Sequence, residues 1–236
     1  MHRSESRILT SHVGSLPRNR ALSDLLIDQE RGKEIDKGLL EKLSKEGVAH
    51  CVDKQIESGI DIISDGEQPR VGFQTYVGQR LSGFDGVSDR LPFADFARYE
   101  DFGDVWNKRG MVHSSVFDAP AASTDVKYDD LGPAENECDL FDAALSDTNG
   151  QFVETFMTAA SPGIVCTTLG NKHYSSHEGY VRAVAKEMKK EYELISKRGY
   201  LLQLDCPDLA MERHGMFQHS STAEFLDAIA IHIDAI

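Results

Sequence analysis

The feature that most constrains the fold is a unit that the chain repeats: an amphipathic helix, a glycine and a short apolar run. The first copy has helical spacing of apolar residues from Asp36 to Ser58, then Gly59, then Ile60–Ser64. The last copy joins "HEGYVRAVAKEMKKEYELISKRG" to "YLLQLD", and a weaker one joins "AENECDLFDAALSDTNG" to "QFVETFMTAASPG". Helices that alternate with buried strands are typical of a parallel sheet.

Two further segments are predicted to be strands, "RILTSHVGS" at 7–15 and "STDVKY" at Ser123–Tyr128. We therefore predict an α/β fold of the (β/α)8 TIM-barrel type, incomplete, with about five of its eight strands in this chain. Residues 1–236 are expected to form a single partial barrel domain, with an acidic excursion at about 80–122. A capping box, Ser221 to Glu224, predicts one more helix near residue 236.

The composition excludes several classes of partner. The net charge is −14, from 25 basic and 39 acidic residues, which disfavours nucleic acid and anionic membrane surfaces. No apolar run approaches the roughly 20 residues of a spanning helix, and the N-terminus resembles no signal peptide. The four cysteines lack C-x-x-C spacing, so no disulfide framework is predicted. We expect a cytoplasmic protein with reduced thiols.

Polar residues follow two of the predicted strands directly. Asp65, Glu67 and Arg70 come after Ile60–Ser64, and Asp205 ends "YLLQLD". In a barrel of this type the C-terminal ends of the strands carry the chemistry. The sequence therefore predicts that these acids share a pocket.

Three motifs, "ILTSHVGSLPR", "DGEQPR" and "QLDCPDLAM", resemble the catalytic domain of cobalamin-independent methionine synthases. They are also similar to its short relatives, such as epoxyalkane:coenzyme M transferase. The resemblance implies a zinc-dependent methyltransferase in methionine biosynthesis, which methylates the thiol of homocysteine from a 5-methyltetrahydrofolate-type donor. Two alternatives stay open: alkylation of coenzyme M, and a non-catalytic truncated fragment of the family.

The resemblance also implies roles for single residues. Gly14 and Ser15 would hold the carboxylate of an amino-acid substrate, and Glu67 and Asp205 would bind its ammonium group. Arg70 would either orient Glu67 or pair with an anionic substrate group. His12 would either face the pocket or be a satisfied histidine.

The zinc site itself is expected outside this chain. The zinc ligands and the proton-donor histidine that the family implies are expected beyond Ile236, so we predict no metal ligand and assign no catalytic residue within the chain. His173 and His177 are four residues apart but lie where a loop enters a helix, which favours solvated or capping histidines. The expected partners are a small thiol and an alkyl donor, with self-association or a C-terminal complement as alternatives.

Overall fold

The structure, a computed structural model, describes residues 1–108 and 119–236. The chain divides into two compact units, which are considered separately below. The first unit contains 1–73, 131–159 and 191–203, and the second contains 74–130, 160–190 and 204–236. The single domain expected from the sequence stays a prediction. Within the described ranges, no helix has both the length and the apolar character needed to cross a membrane.

The helices follow the local signals of the sequence closely. Asp36 caps α2 by accepting a hydrogen bond from the Leu39 amide at 2.9 Å, and the predicted capping box of Ser221 and Glu224 begins α9. The helices predicted from periodicity are therefore confirmed. The described helices are α1 Arg20–Glu30, α2 Lys37–Glu57, α3 Val77–Arg80, α4 Ala94–Arg98, α5 Glu100–Lys108, α6 Gly132–Asp147, α7 Pro162–Thr168, α8 His177–Lys197 and α9 Thr222–Asp234.

The strands form two small sheets. The described strands are β1 Ile62–Ile63, β2 Leu81–Asp85, β3 Ala121–Tyr128, β4 Glu154–Ala160, β5 Gly170–Asn171 and β6 Leu201–Asp205. One sheet has the order β1-β4-β6, and its first two strands are parallel, with Ile63 opposite Thr155. Parallel pairing between strands separated by helices is the pattern of an α/β fold. The predicted α/β class is confirmed.

The second sheet has the order β2-β3-β5, with β2 antiparallel and β5 parallel to β3. The strand predicted at Ser123–Tyr128 is thus confirmed as β3, but it does not join the sheet of β1. A bulge interrupts β2 at Gly83, where φ is 97° and a Cβ would lie 2.5 Å from the Asp125 carbonyl oxygen. The predicted excursion at 80–122 contains β2, α4 and α5, while 109–118 lie outside the described residues.

The strand predicted at 7–15 is wrong. The Thr10 carbonyl accepts hydrogen bonds from the amides of Asp61 and Ile62, at 3.1 and 3.0 Å. The Thr10 amide, however, donates to the Asp61 carboxylate at 2.8 Å, and the Arg7 guanidinium binds the same carboxylate. An acidic side chain therefore takes the place of the strand partner that a ladder requires.

The first unit is held together by the packing of α2 against α6, α1 and β1. Val48, Val52, Ile63, Cys138 and Phe141 are fully or almost fully buried there. Burying a side chain of this kind contributes about 1.5–3 kcal/mol. This core fixes the loop that follows β1, which carries the predicted acids.

Candidate functional site

The loop after β1 buries every charged residue that the sequence placed there. Asp65 and Glu67 are each 1% exposed, and Arg70 is 3% exposed. Glu67 has a φ of 53°, and no other non-glycine residue in the described ranges has a positive φ. Such backbone costs on the order of 1–3 kcal/mol and persists only where the surroundings enforce it. The loop is therefore built to hold the Glu67 side chain in one place.

Gly66 explains how the loop reaches this conformation. Its φ is 65°, and a Cβ there would lie 2.9 Å from Cys51 Sγ and 3.2 Å from Leu16 Cβ. Only glycine fits this approach of the loop to α2 and to the N-terminal segment. The Leu16 amide also donates to the Gly66 carbonyl at 3.1 Å, which ties the segment after Gly14 to the acidic loop.

The Glu67 carboxylate is held by two hydroxyl groups. Ser15 Oγ donates to Glu67 Oε2 at 2.6 Å, and Thr158 Oγ1, on β4, donates to Glu67 Oε1 at 2.9 Å. Arg18 binds the backbone carbonyl of Glu67 rather than its carboxylate, at 2.6 Å. In the part of the chain that the structure describes, no basic side chain lies within ion-pair distance of this carboxylate. The structure thus brings together the predicted residues Ser15 and Glu67, and Gly14 precedes Ser15 with a φ of 80°.

Arg70 is bound by a residue that the sequence did not single out. Its Nε and Nη2 donate to Glu137 Oε2, on α6, at 3.0 and 2.9 Å. Its Nη1 donates to the Thr158 carbonyl and hydroxyl, at 2.8 and 3.1 Å. Since Thr158 in turn donates to Glu67, Arg70 is connected to the Glu67 carboxylate through one hydroxyl.

Asp65 has an unusual environment for a carboxyl group. Its Oδ1 accepts a hydrogen bond from the Glu67 amide at 3.0 Å, but its Oδ2 has no hydrogen-bond partner within the described ranges. Burial raises the pKa of Asp65 to about 6, against the opposing effect of the Arg70 charge. The sequence showed Asp65 at the strand end but gave no sign that it would be unpartnered.

His12 contacts Gln55, on α2, and Ser64, which precedes the acidic loop. Its Nε2 lies 2.7 Å from Gln55 Oε1 and 3.3 Å from Ser64 Oγ. The Gln55 amide nitrogen donates to the carbonyls of Cys51 and Ser64, so Oε1 is an acceptor and His12 Nε2 carries the proton. His12 Nδ1 has no partner among the described residues. These bonds favour a histidine satisfied through one nitrogen.

Asp205, the remaining predicted residue, ends β6 and belongs to the second unit. Its backbone carbonyl accepts a hydrogen bond from the Ser161 amide at 3.1 Å. The other predicted residues, which are His12, Gly14, Ser15, Glu67 and Arg70, all belong to the first unit. The joint role of Glu67 and Asp205 stays a prediction.

A cleft of about 400 Å³ in the first unit lies next to the acidic loop, between α2 and the segment that precedes α1. Arg18 and Gln68 line it, together with His50 and Glu46. Ser15 and Glu67 are not among its lining residues, so this cleft is not the predicted substrate site.

The second unit contains a buried chain of hydrogen bonds that sequence reasoning missed. Ser161 Oγ donates to Asp208 Oδ1 at 3.0 Å, His232 Nδ1 lies 2.8 Å from Asp208 Oδ2, and His232 Nε2 lies 2.8 Å from His177 Nε2. Ser161, Asp208 and His232 are almost completely buried. Burial and the neighbouring His232 lower the pKa of His177 to about 4. The prediction of a solvated or capping role is wrong for His177, whereas His173 is exposed and pairs with Asp125 at 3.0 Å.

The described residues do not form a metal-binding site. Within residues 1–108 and 119–236, no group of three or more His, Cys, Asp or Glu side chains is arranged to hold one. The zinc that the resemblance implies therefore stays a prediction, and no chemical step of this chain is assigned to it.

Comparisons with known proteins agree with the motifs. The family model described as "Cobalamin-independent synthase, Catalytic domain" matches residues 8–119. No curated protein matches the sequence.

Solved structures show the same fold. A B12-independent methionine synthase from Shewanella sp. W3-18-1, solved with selenomethionine, matches with a TM-score of 0.61 and 21% identity over 93% of this chain. A putative vitamin-B12 independent methionine synthase from Listeria monocytogenes matches with a TM-score of 0.56 and 19% identity over 84% of this chain. The matches span 57% and 51% of those chains. The TIM-barrel-type α/β fold and the resemblance to the catalytic domain of cobalamin-independent methionine synthases, both predicted from the sequence, are thus confirmed.

Proposed function

We propose that this chain provides the substrate-binding part of a methyltransferase that acts on the thiol of homocysteine to give methionine. The observation that carries the proposal is the Glu67 carboxylate, which is buried beside Ser15 and has no basic partner within ion-pair distance among the described residues. A buried carboxylate without a cation is costly, and an ammonium group would offset that cost. Glu67 is then the group that binds the ammonium of the amino acid.

The remaining roles follow from this assignment. Ser15 and Thr158 orient the two carboxylate oxygens of Glu67, and Arg70 holds Thr158 in place by donating a hydrogen bond to its hydroxyl group. The backbone of Gly14 and Ser15 is proposed to hold the substrate carboxylate. Methylation breaks the S–H bond of the thiol and the N–C bond between the donor and its methyl group, forms an S–C bond, and leaves the proton on the demethylated donor nitrogen. The described residues bind and orient the amino acid, and they hold no group that would generate the thiolate.

The proposal is tested by isothermal titration of the chain with L-homocysteine and L-methionine. We expect Glu67→Gln to weaken binding about 10- to 100-fold, because a lost hydrogen bond to a charged group costs about 1.5–3 kcal/mol. Glu212→Gln is the matched control, since Glu212 is equally buried and lies in the second unit, where it pairs with Arg90 at 2.5 Å. Equal affinity of the wild type and a folded Glu67→Gln variant would refute the role of Glu67.

The acceptor and the donor need separate tests. Coenzyme M carries a sulfonate and no ammonium group, so it is expected not to compete with homocysteine for this site. Because the described residues hold no group that would generate the thiolate, mass spectrometry of reactions with a 5-methyltetrahydrofolate donor is expected to detect methionine only where zinc and its ligands are supplied together with the chain. Competition by coenzyme M would favour the alternative thiol, and an alkylated coenzyme M product would favour the alternative reaction.

A further inference from the structure

The starting point is the unpartnered oxygen of Asp65. Asp65 lies two residues before Glu67, is 1% exposed, and accepts a hydrogen bond through Oδ1 only. Its Oδ2 is buried without a partner in residues 1–108 and 119–236. A buried carboxylate oxygen that accepts no hydrogen bond is strongly disfavoured unless the group is neutral or a ligand supplies the donor.

The charges around Asp65 leave this site one carboxylate in excess. Arg70 is bound by Glu137 through two of its nitrogens, so that pair is neutral in sum. Asp65 and Glu67 remain, and Arg18 donates to the backbone carbonyls of residues 67 and 68 rather than to either carboxyl group. Burial raises the pKa of Asp65, and the nearby carboxyl groups of Glu137 and Glu67 raise it further, so Asp65 keeps its proton to a higher pH than an exposed aspartate would.

Asp65 differs from Glu67 in its hydrogen bonds. Glu67 accepts a hydrogen bond from a hydroxyl group at each of its two oxygens, whereas Asp65 accepts one bond, through Oδ1. The two thiols that face Asp65, Cys51 on α2 and Cys138 on α6, do not compete for ionisation. Burial raises their pKa values to about 11 and about 12.

We propose that, in mildly acidic solution, Asp65 carries a proton while the site is empty and releases it when an ammonium group binds at Glu67. The inference rests on the proposed function, because it concerns the same amine site. In the empty site Asp65 is a neutral acid below about pH 6. The ammonium group of the ligand places one positive charge beside Glu67, the O–H bond of Asp65 breaks, its proton goes to solvent, and Oδ2 becomes an acceptor. Asp65 thereby makes the site selective for a cationic amine and makes binding depend on pH.

The test is isothermal titration with L-methionine at pH 6 in buffers of contrasting ionisation enthalpy, which counts released protons. In the ligand-free chain the pKa of Asp65 is about 6, so about half of the Asp65 side chains carry a proton at pH 6 and almost none do at pH 8. We therefore expect release of about half a proton per bound ligand at pH 6 and almost none at pH 8. Asp65→Asn is expected to abolish the release, while Glu212→Gln, which alters an equally buried acid of the second unit, should leave it unchanged. The analogue 4-(methylthio)butanoate, which lacks the ammonium group, should release no proton.

The outcomes separate this inference from the proposed function. Binding of L-methionine without proton release, or with release that survives in Asp65→Asn, would overturn the inference alone. Absence of any amino-acid binding by the wild type would overturn the proposed function and the coupled release with it. Carboxyl carbon NMR tests the protonation of Asp65 without ligand: a resonance that titrates near pH 6 supports the inference, and an ionised Asp65 at pH 5 overturns it.

Discussion

Gly163 lies in the first turn of α7, and we predict that adding a single methyl group there strongly reduces the stability of the fold. A Cβ added there would lie 2.1 Å from Asp208 Oδ2 and 2.6 Å from His232 Nδ1. Neither group can move aside easily, because both are 1% exposed and are bonded to each other at 2.8 Å. Gly163→Ala therefore forces the buried Asp208–His232 pair apart.

The size of the effect follows from two opposing contributions. Separating the buried, hydrogen-bonded side chains of Asp208 and His232 costs about 3–5 kcal/mol in total, because each of the two polar groups is left unsatisfied at about 1–3 kcal/mol. Replacing glycine by alanine in a helix returns about 1 kcal/mol. We expect the free energy of unfolding to fall by about 2–4 kcal/mol, which is a large part of the 5–15 kcal/mol typical of a domain.

Urea unfolding at pH 7 measures this change. Gly78→Ala is the matched control, because Gly78 also lies in a short helix of the second unit and its added Cβ would come no closer than 3.6 Å, to Pro120. The control should be neutral or slightly stabilising. If Gly163→Ala proved as stable as Gly78→Ala, the Asp208–His232 pair would have to be free to shift, and the reasoning would fail.

Two further predictions concern buried charge. Because the pKa of His177 is lowered from 6.5 to about 4, the unfolded chain takes up a proton on this residue first, so stability should fall as the pH drops from about 6.5 to 4; His177→Gln should flatten that part of a pH series of unfolding curves. Arg70→Met should cost about 3–5 kcal/mol by leaving Glu137 buried without its partner. Adding Glu137→Leu should recover most of the loss, and additive effects in this double-mutant cycle would contradict the pairing.

The helices and the acidic loop could be predicted because their signals are local. The N-cap Asp36 and the apolar spacing up to Ser58 suffice for α2, and Gly59, with a φ of 72°, allows the chain to turn into β1. Asp65-Gly66-Glu67 follows an apolar run directly, and this local pattern indicates the end of a strand without reference to other parts of the chain. Short-range rules of this kind need no knowledge of distant residues.

The partners of those residues could not be predicted because they are distant in sequence. Glu137 lies 67 residues from Arg70, and Thr158 lies 91 residues from Glu67. Nothing in the local sequence distinguishes Glu137 from its solvated neighbours on α6. The strand predicted at 7–15 failed for the same reason, since the Asp61 carboxylate, 51 residues from Thr10, takes the amide that a strand would have used.

A comparison of the buried acids indicates which of them serve folding alone. In the second unit Glu212 pairs with Arg90 at 2.5 Å, and Asp208 pairs with His232 at 2.8 Å. In the first unit Glu137 is paired in the same way, but neither Asp65 nor Glu67 has a basic side chain within ion-pair distance among the residues that the structure describes. An unpaired buried carboxyl group reduces stability, and an amide or an apolar residue would avoid that cost. Under the proposed function, the cation that compensates these two acids is the ammonium group of the amino-acid substrate, which the folded chain does not itself supply.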